Sequence, residues 1–218
     1  EDVVWVDIVE PTDEEQNWIK RVYNQELPTE SEIEEIESSS RFYLEGDKVY
    51  INSYFLDDFR DTPQNVTVAF ILTTDQLFSL HEVELTTFRL FQRHARHQFV
   101  SDGESSKSVL LGLFETKVDH LADVIEEIYA DLETISKEVL SGSTRDNDME
   151  KLVTELAKLE DLHGKVRINI MDQQRVLSLL HRKGRLSPPQ AEKLREILQD
   201  LDSLIPHTSF LFNKINVL

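Results

Sequence analysis

Cysteine is absent from all 218 residues of this chain. Disulfides, thiolate metal sites and thiol nucleophiles are thereby excluded, and a reducing compartment is permitted. Glycine is scarce too, with six residues at 46, 103, 112, 142, 164 and 184. They form neither a phosphate-cradling loop nor a G-x-S-x-G elbow, so the sequence advertises no nucleotide site or serine hydrolase and reads as a non-enzyme. No apolar run approaches the roughly 20 residues needed to cross a bilayer, and no signal-peptide pattern is visible. Positive charge is also short: 23 Lys and Arg stand against 42 Asp and Glu, a net charge of −19. Such a balance disfavours nucleic acids and anionic membranes as partners and makes cations the natural counter-charge.

What is present suffices for a folded core, since 39% of the residues are apolar. The acid is uneven. Residues 1–50 carry fifteen carboxylates against Lys20, Arg21, Arg41 and Lys48, and Glu26, Glu30, Glu32, Glu34, Glu35 and Glu37 follow one another with no base between them. An arginine-rich segment with Arg89, Arg93 and Arg96 is the candidate to answer that block.

The first part of the chain alternates element types. Residues 3–9 predict a strand, and Thr12 with Glu15 forms a capping box that opens a helix through Trp18, Ile19, Val22 and Tyr23. A second box, Thr29 with Glu32, predicts a short acidic helix over 31–38 that carries Glu34 and Glu35. Strands follow at 41–44, 48–56, 66–73 and 76–80, then a helix over 84–98. From Ser106 the pattern changes: Phe114, Val118, Leu121, Ile125, Ile128, Leu132, Ile135 and Val139 keep a heptad spacing, predicting a helix about 50 Å long. A second helix carries Leu152, Leu156, Leu159, Val166, Ile170, Leu177 and Leu180, with His163 and Gln173 on its seam. A third opens at Ser187-Pro188-Pro189 and runs through Ala191, Leu194, Leu198, Leu201, Ile205, Thr208, Phe212 and Ile215, interrupted by Pro206. It reaches Leu218 without Gly, Pro or a polar cap, from which a longer natural chain is expected. The expected class is α+β, divided into an α/β unit at 1–105, a pair of long helices at 106–186 and the start of a further helix at 187–218.

His94 and His97 lie one turn apart and match half of a zinc site, but the arginines around them favour a solvent-facing or phosphate-contacting role. Among the acids, Glu34 and Glu35 are adjacent, Glu115 and Asp119 lie one turn apart, and so do Glu196 and Asp200. Hard divalent ions such as Mg²⁺ take one or two carboxylates plus retained waters. Spacing alone reads these acids as solvated helix faces.

The stretches VWVDIVEPTDEE (4–15), IEEIESSSRFY (33–43), LGLFETKVDHLADVIEEIYADLE (111–133) and REILQDLDSLIPHTSFLFNKINVL (195–218), in this order, resemble the cytoplasmic domain of the bacterial CorA magnesium and cobalt channels. The resemblance covers the chain nearly end to end. It implies an α/β/α sandwich followed by three long, mostly antiparallel helices, the last a stalk helix leading into the membrane part of a homopentamer at the bacterial inner membrane. The Gly-Met-Asn filter motif and both membrane helices would lie beyond Leu218. The resemblance further implies regulatory Mg²⁺ held by Glu34, Glu35, Glu115 and Glu196, with the ion controlling the gate. The stalk acid expected to face Glu35 falls just past the last residue. A zinc-transporting relative with the same architecture, and a helical scaffold without an ion role, are the competing readings.

Overall fold

The computed structural model of the chain describes residues 3–37, 41–59, 62–98, 105–140 and 146–217; the side chains of 96–98 and 146–148 are outside that description. The first strand, β1 (Trp5–Val9), leads into α1 (Asp13–Tyr23), whose start is sealed as expected. The Thr12 amide donates to Glu15 Oε2 at 2.8 Å and the Glu15 amide donates to Thr12 Oγ1 at 3.3 Å, while Asn24 closes the helix in the left-handed region at φ 51°. The second box, at Thr29, opens α2 (Glu30–Ile33), a single turn that ends well before residue 38. Glu34 caps it and Glu35 lies beyond it, so neither sits within a helix as expected. The reason is electrostatic: Glu34, Glu35 and Glu37 place negative charge at the end where a helix dipole is already negative, with no basic residue to offset it.

Four strands, β2 (Phe42–Glu45), β3 (Lys48–Asp57), β4 (Gln64–Leu72) and β5 (Leu77–His81), form an antiparallel meander, and β1 joins the far edge parallel to β5. The sheet order is β1-β5-β4-β3-β2. Alternation along the strands divides the apolar side chains between two faces. Ile8, Ala69, Ile71, Phe78 and Leu80 meet Ile19 of α1 and Ile33 of α2 on one face. On the other, Ile51, Phe55, Val68, Phe70 and Leu77 join a larger cluster that continues without a break into the helices α3 (Thr86–Gln98), α4 (Ser106–Leu140), α5 (Asp146–Lys183) and α6 (Pro188–Val217). The fold is therefore α+β: helices on both faces of one mixed sheet, then three long antiparallel helices sharing the larger core.

The heptad positions of α4 from Phe114 to Ile135 are buried as expected. On α6 the expected register mixes two stripes. Its buried side is Leu194, Ile197, Leu201, Leu204, Thr208, Leu211 and Ile215, whereas Ile205 is 37% and Phe212 45% exposed. Leu198, Ile205 and Phe212 repeat every seven residues as well, so spacing alone does not choose between the stripes; packing against α4 and α5 does. Helix α6 continues through Pro206, and close by His163 of α5 donates from Nε2 to the Thr208 carbonyl at 2.8 Å. His163 and Gln173 are both buried on the α5 seam, as their positions in the sequence require.

Candidate metal centre

Glu115 stands on α4 and Glu196 on α6, and Lys193 lies between them. Its Nζ is 2.5 Å from Glu115 Oε1 and 4.0 Å from Glu196 Oε2, so one ammonium bridges the two carboxylates. Asp119, a turn beyond Glu115, holds its proton more tightly than an ordinary aspartate. Burial is the first cause, and the carboxylates of Glu115, Asp123 and Asp200 add to it, with His94 opposing. Glu115, Asp119 and Lys193 line a groove between α3, α4 and α6 together with Phe91, His94 and Gly112. Gly112 lets α3 come close to α4 beside this groove, since a Cβ there would come within 2.6 Å of the Phe91 ring.

Glu34 and Glu35 are on the other side of the sheet. Ile33, just before them, packs into the smaller core, whereas α4 and α6 pack into the larger one. The two adjacent acids also part from each other. Glu34 lines a cleft with Glu10, Glu30, His81 and Glu82, and Glu35 lines a second one with Glu32, Tyr43, Tyr50 and Asn52. Within one copy the four glutamates thus form two sets on opposite faces, and among the described residues no group of three or more His, Asp or Glu is placed to hold a metal ion. The donor chemistry suits a hard ion, which keeps several waters and needs only one or two carboxylates from a protein surface. The side chain of His97 lies outside the described residues. Arg89 does not answer the acidic block: it pairs with Glu84 at 3.2 Å and lies over the Phe59 ring at 4.9 Å.

The sequence reasoning missed the buried charges. Asp172 of α5 accepts from Ser53 Oγ at 2.7 Å and the Tyr54 amide at 2.9 Å, and its other oxygen faces Arg41 at 3.3 Å and Arg175 at 3.6 Å. Lys117, fully buried on α4, donates to the Tyr54 carbonyl. Its ammonium is brought down from 10.5 to about 8 by burial, with Asp172 resisting and Arg41 assisting. This network ties Arg41, which leads into β2, to α5 and, through Tyr54, to Lys117 of α4. The available signal was a lysine inside an apolar stripe, three residues after Phe114 and four before Leu121. Two histidines are also held by aspartates: His81 by Asp7 at 2.9 Å and His120 by Asp58 at 2.7 Å.

A mixed sheet sandwiched by helices and extended by a long helix trio recurs in solved structures of other proteins. The structure of the soluble domain of CorA from Methanocaldococcus jannaschii superposes with a TM-score of 0.79 at 14% identity, covering 98% of this chain and 84% of that one. The cytoplasmic domain of ZntB from Vibrio parahaemolyticus shares the fold at a TM-score of 0.71 and 12% identity, over 98% of this chain and 83% of that one. At the level of sequence the match is specific: the chain belongs to the CorA-like Mg²⁺ transporter protein family, which it matches over residues 1–218. It is 47% identical to the magnesium transport protein CorA of Salmonella typhimurium across all of this chain and 68% of that protein.

Proposed function

We propose that this chain is the cytoplasmic regulatory part of a homopentameric magnesium channel, in which Mg²⁺ bound by Glu34, Glu35, Glu115 and Glu196 holds neighbouring copies in the closed arrangement. The observation that carries the reading is the Glu115–Lys193–Glu196 bridge within a chain of net charge −19 that matches a magnesium-transporter family throughout. Carboxylates gathered at this density repel one another unless a cation lies between them. Two unit charges about 4 Å apart interact by about 4 kcal/mol at an effective dielectric of 20, enough for a few such pairs to oppose a subunit contact. Lys193 supplies one positive charge to the pair on α4 and α6; a divalent ion supplies two and adds ligand positions for a neighbour's acids.

The carboxylates of Glu34 and Glu35 make no hydrogen bond or ion pair among the described residues, so they are free to serve as the other half of a site shared between copies. To close a gate, the ion has to bind the closed ring more tightly than the open one, and a shared site supplies that difference because it exists only when the copies meet. In this reading residues 1–105 and 106–186 move as the sensing unit, and residues 187–218 carry the signal toward the pore. Magnesium is favoured over zinc by the 47% identity to a magnesium transport protein, against a likeness to ZntB confined to the fold. Cobalt, as a family co-substrate, is expected to compete.

The test is a Mg²⁺ titration followed by thermal melting, with NaCl matched for ionic strength. Mg²⁺ is expected to raise the melting temperature beyond the NaCl control, and both Glu34→Gln/Glu35→Gln and Glu115→Gln/Glu196→Gln are expected to reduce that excess. Identical Mg²⁺ curves for the parent and both variants rule out the site.

A further inference from the structure

We propose that His81 is a proton-operated clasp: with a proton on each ring nitrogen it ties β1 to the turn that enters α3, and on losing one it lets that turn go. His81 closes β5, is only 3% exposed, and packs at 4.5 Å against Phe88 of α3 on the face of the larger core. Its Nδ1 lies 2.6 Å from the Val83 carbonyl and its Nε2 2.9 Å from Asp7 Oδ1. Both neighbours are acceptors. A carbonyl has no hydrogen to give. Asp7 Oδ1 already receives the Ser79 hydroxyl at 2.6 Å, because Ser79 Oγ in turn takes the Trp5 indole N–H at 2.9 Å.

A neutral imidazole owns one N–H and one lone pair, so it serves only one of two acceptors. Making both bonds requires one further proton in the His81–Asp7 pair. When that proton leaves, the remaining N–H stays with Asp7, since a hydrogen bond to a carboxylate is stronger than one to a neutral carbonyl. Nδ1 then turns a lone pair on the Val83 oxygen, and the turn between β5 and α3 has to move away. The half of the clasp on β1 survives, and the half that holds α3 opens.

Asp7 is the one charged side chain that bonds to the ring among the described residues. On α3 the ring meets Phe88; in the turn Glu82 and Glu84 are exposed, and Glu84 pairs with Arg89 at 3.2 Å. Glu10, beyond β1, meets His81 through its backbone amide, which donates to the His81 carbonyl at 2.9 Å. His120 of α4 also reaches the start of α3, with Nε2 2.7 Å from Asp58 Oδ2 and Nδ1 3.1 Å from the Thr87 hydroxyl. That hydroxyl donates or accepts as required, so His120 needs no second proton. Helix α3 carries Phe91 and His94 into the groove beside Glu115, so release at Val83 reaches that groove whether or not it holds an ion. None of the four glutamates of the magnesium reading takes part, and the test uses no metal, so either reading can fail without the other.

The test is an NMR series from about pH 5 to about pH 8, the range in which histidine serves as a switch. Ring nitrogen shifts count the protons on His81, and amide protection factors report the start of α3. Two ring protons are expected at the acid end, and protection at residues 88–91 is expected to fall about tenfold as one is lost. Asp7→Asn supplies an amide donor to Nε2 and leaves Nδ1–H for Val83, so α3 is expected to stay protected throughout. His81→Phe makes neither bond and is expected to show the lower protection at every pH. A proton count on His81 that does not change across the series, α3 protection that does not follow it, or a response that persists in Asp7→Asn overturns the clasp. The ring shifts are read on the parent chain, so the outcome is decided even if a variant fails to fold.

Discussion

Lys117 is fully buried beneath the sheet, its ammonium 4.6 Å from the centre of the Phe55 ring. Burial strips its hydration, and the attraction of Asp172 does not make up the loss, so its pKa falls from 10.5 to about 8. The consequence for stability has a definite sign. Below about pH 8 folded and unfolded chains both carry the proton, and the cost of burying a charge is felt in full. Between about 8 and 10.5 only the unfolded chain holds it, so stability rises with pH across that window, by roughly 3 kcal/mol. Lys117→Met is expected to remove this rise. Urea unfolding of parent and variant at both ends of the window measures the difference directly, and parallel pH profiles would show that the ammonium stays charged throughout.

At the scale of elements, the approach of α3 to α4 depends on Gly112. A methyl group there meets Phe91 Cε2 at 2.6 Å, and the Phe91 ring is itself wedged against Trp5 at 5.5 Å, so neither partner yields freely. Gly112→Ala is expected to lower stability by about 1–3 kcal/mol through overpacking, despite the better helix propensity of alanine. Urea unfolding checks it, and a stabilised variant would mean that α3 shifts at little cost. The elements themselves were legible in the sequence because their signals are local: the capping boxes at Thr12 and Thr29, the alternation in β3 and β4, and the heptads of α4. Three features were not. The end of α2 depends on repulsion among Glu34, Glu35 and Glu37, which residue patterns register only as helix-compatible acid. The buried stripe of α6 is chosen by its neighbours, since two heptad stripes coexist in its sequence. Arg41, Lys117 and Asp172 meet from segments more than fifty residues apart, and nothing local marks a charge that will find a distant partner. Of the candidate site, the family resemblance named Glu34, Glu35, Glu115 and Glu196, but the intervening Lys193 emerges only when α4 and α6 are set side by side.

For the molecule as a whole, charge and topology are the governing features. A net charge of −19 on 218 residues repels itself at long range. Raising NaCl from about 0.01 M to about 0.15 M shortens the screening length from about 30 Å to about 8 Å, and the melting temperature is expected to rise with it. A fall on adding salt would show that local ion pairs such as Glu115–Lys193 outweigh the global repulsion. The pairing of β1 with β5 has a different kind of consequence. Trp5 lies opposite Leu77, and the residues between them form α1, α2 and the other three strands. During synthesis β1 is therefore made well before β5, the strand it pairs with here. That long-range pairing closes late, so the ordering of β1 serves as a natural reporter that β5 is already in place.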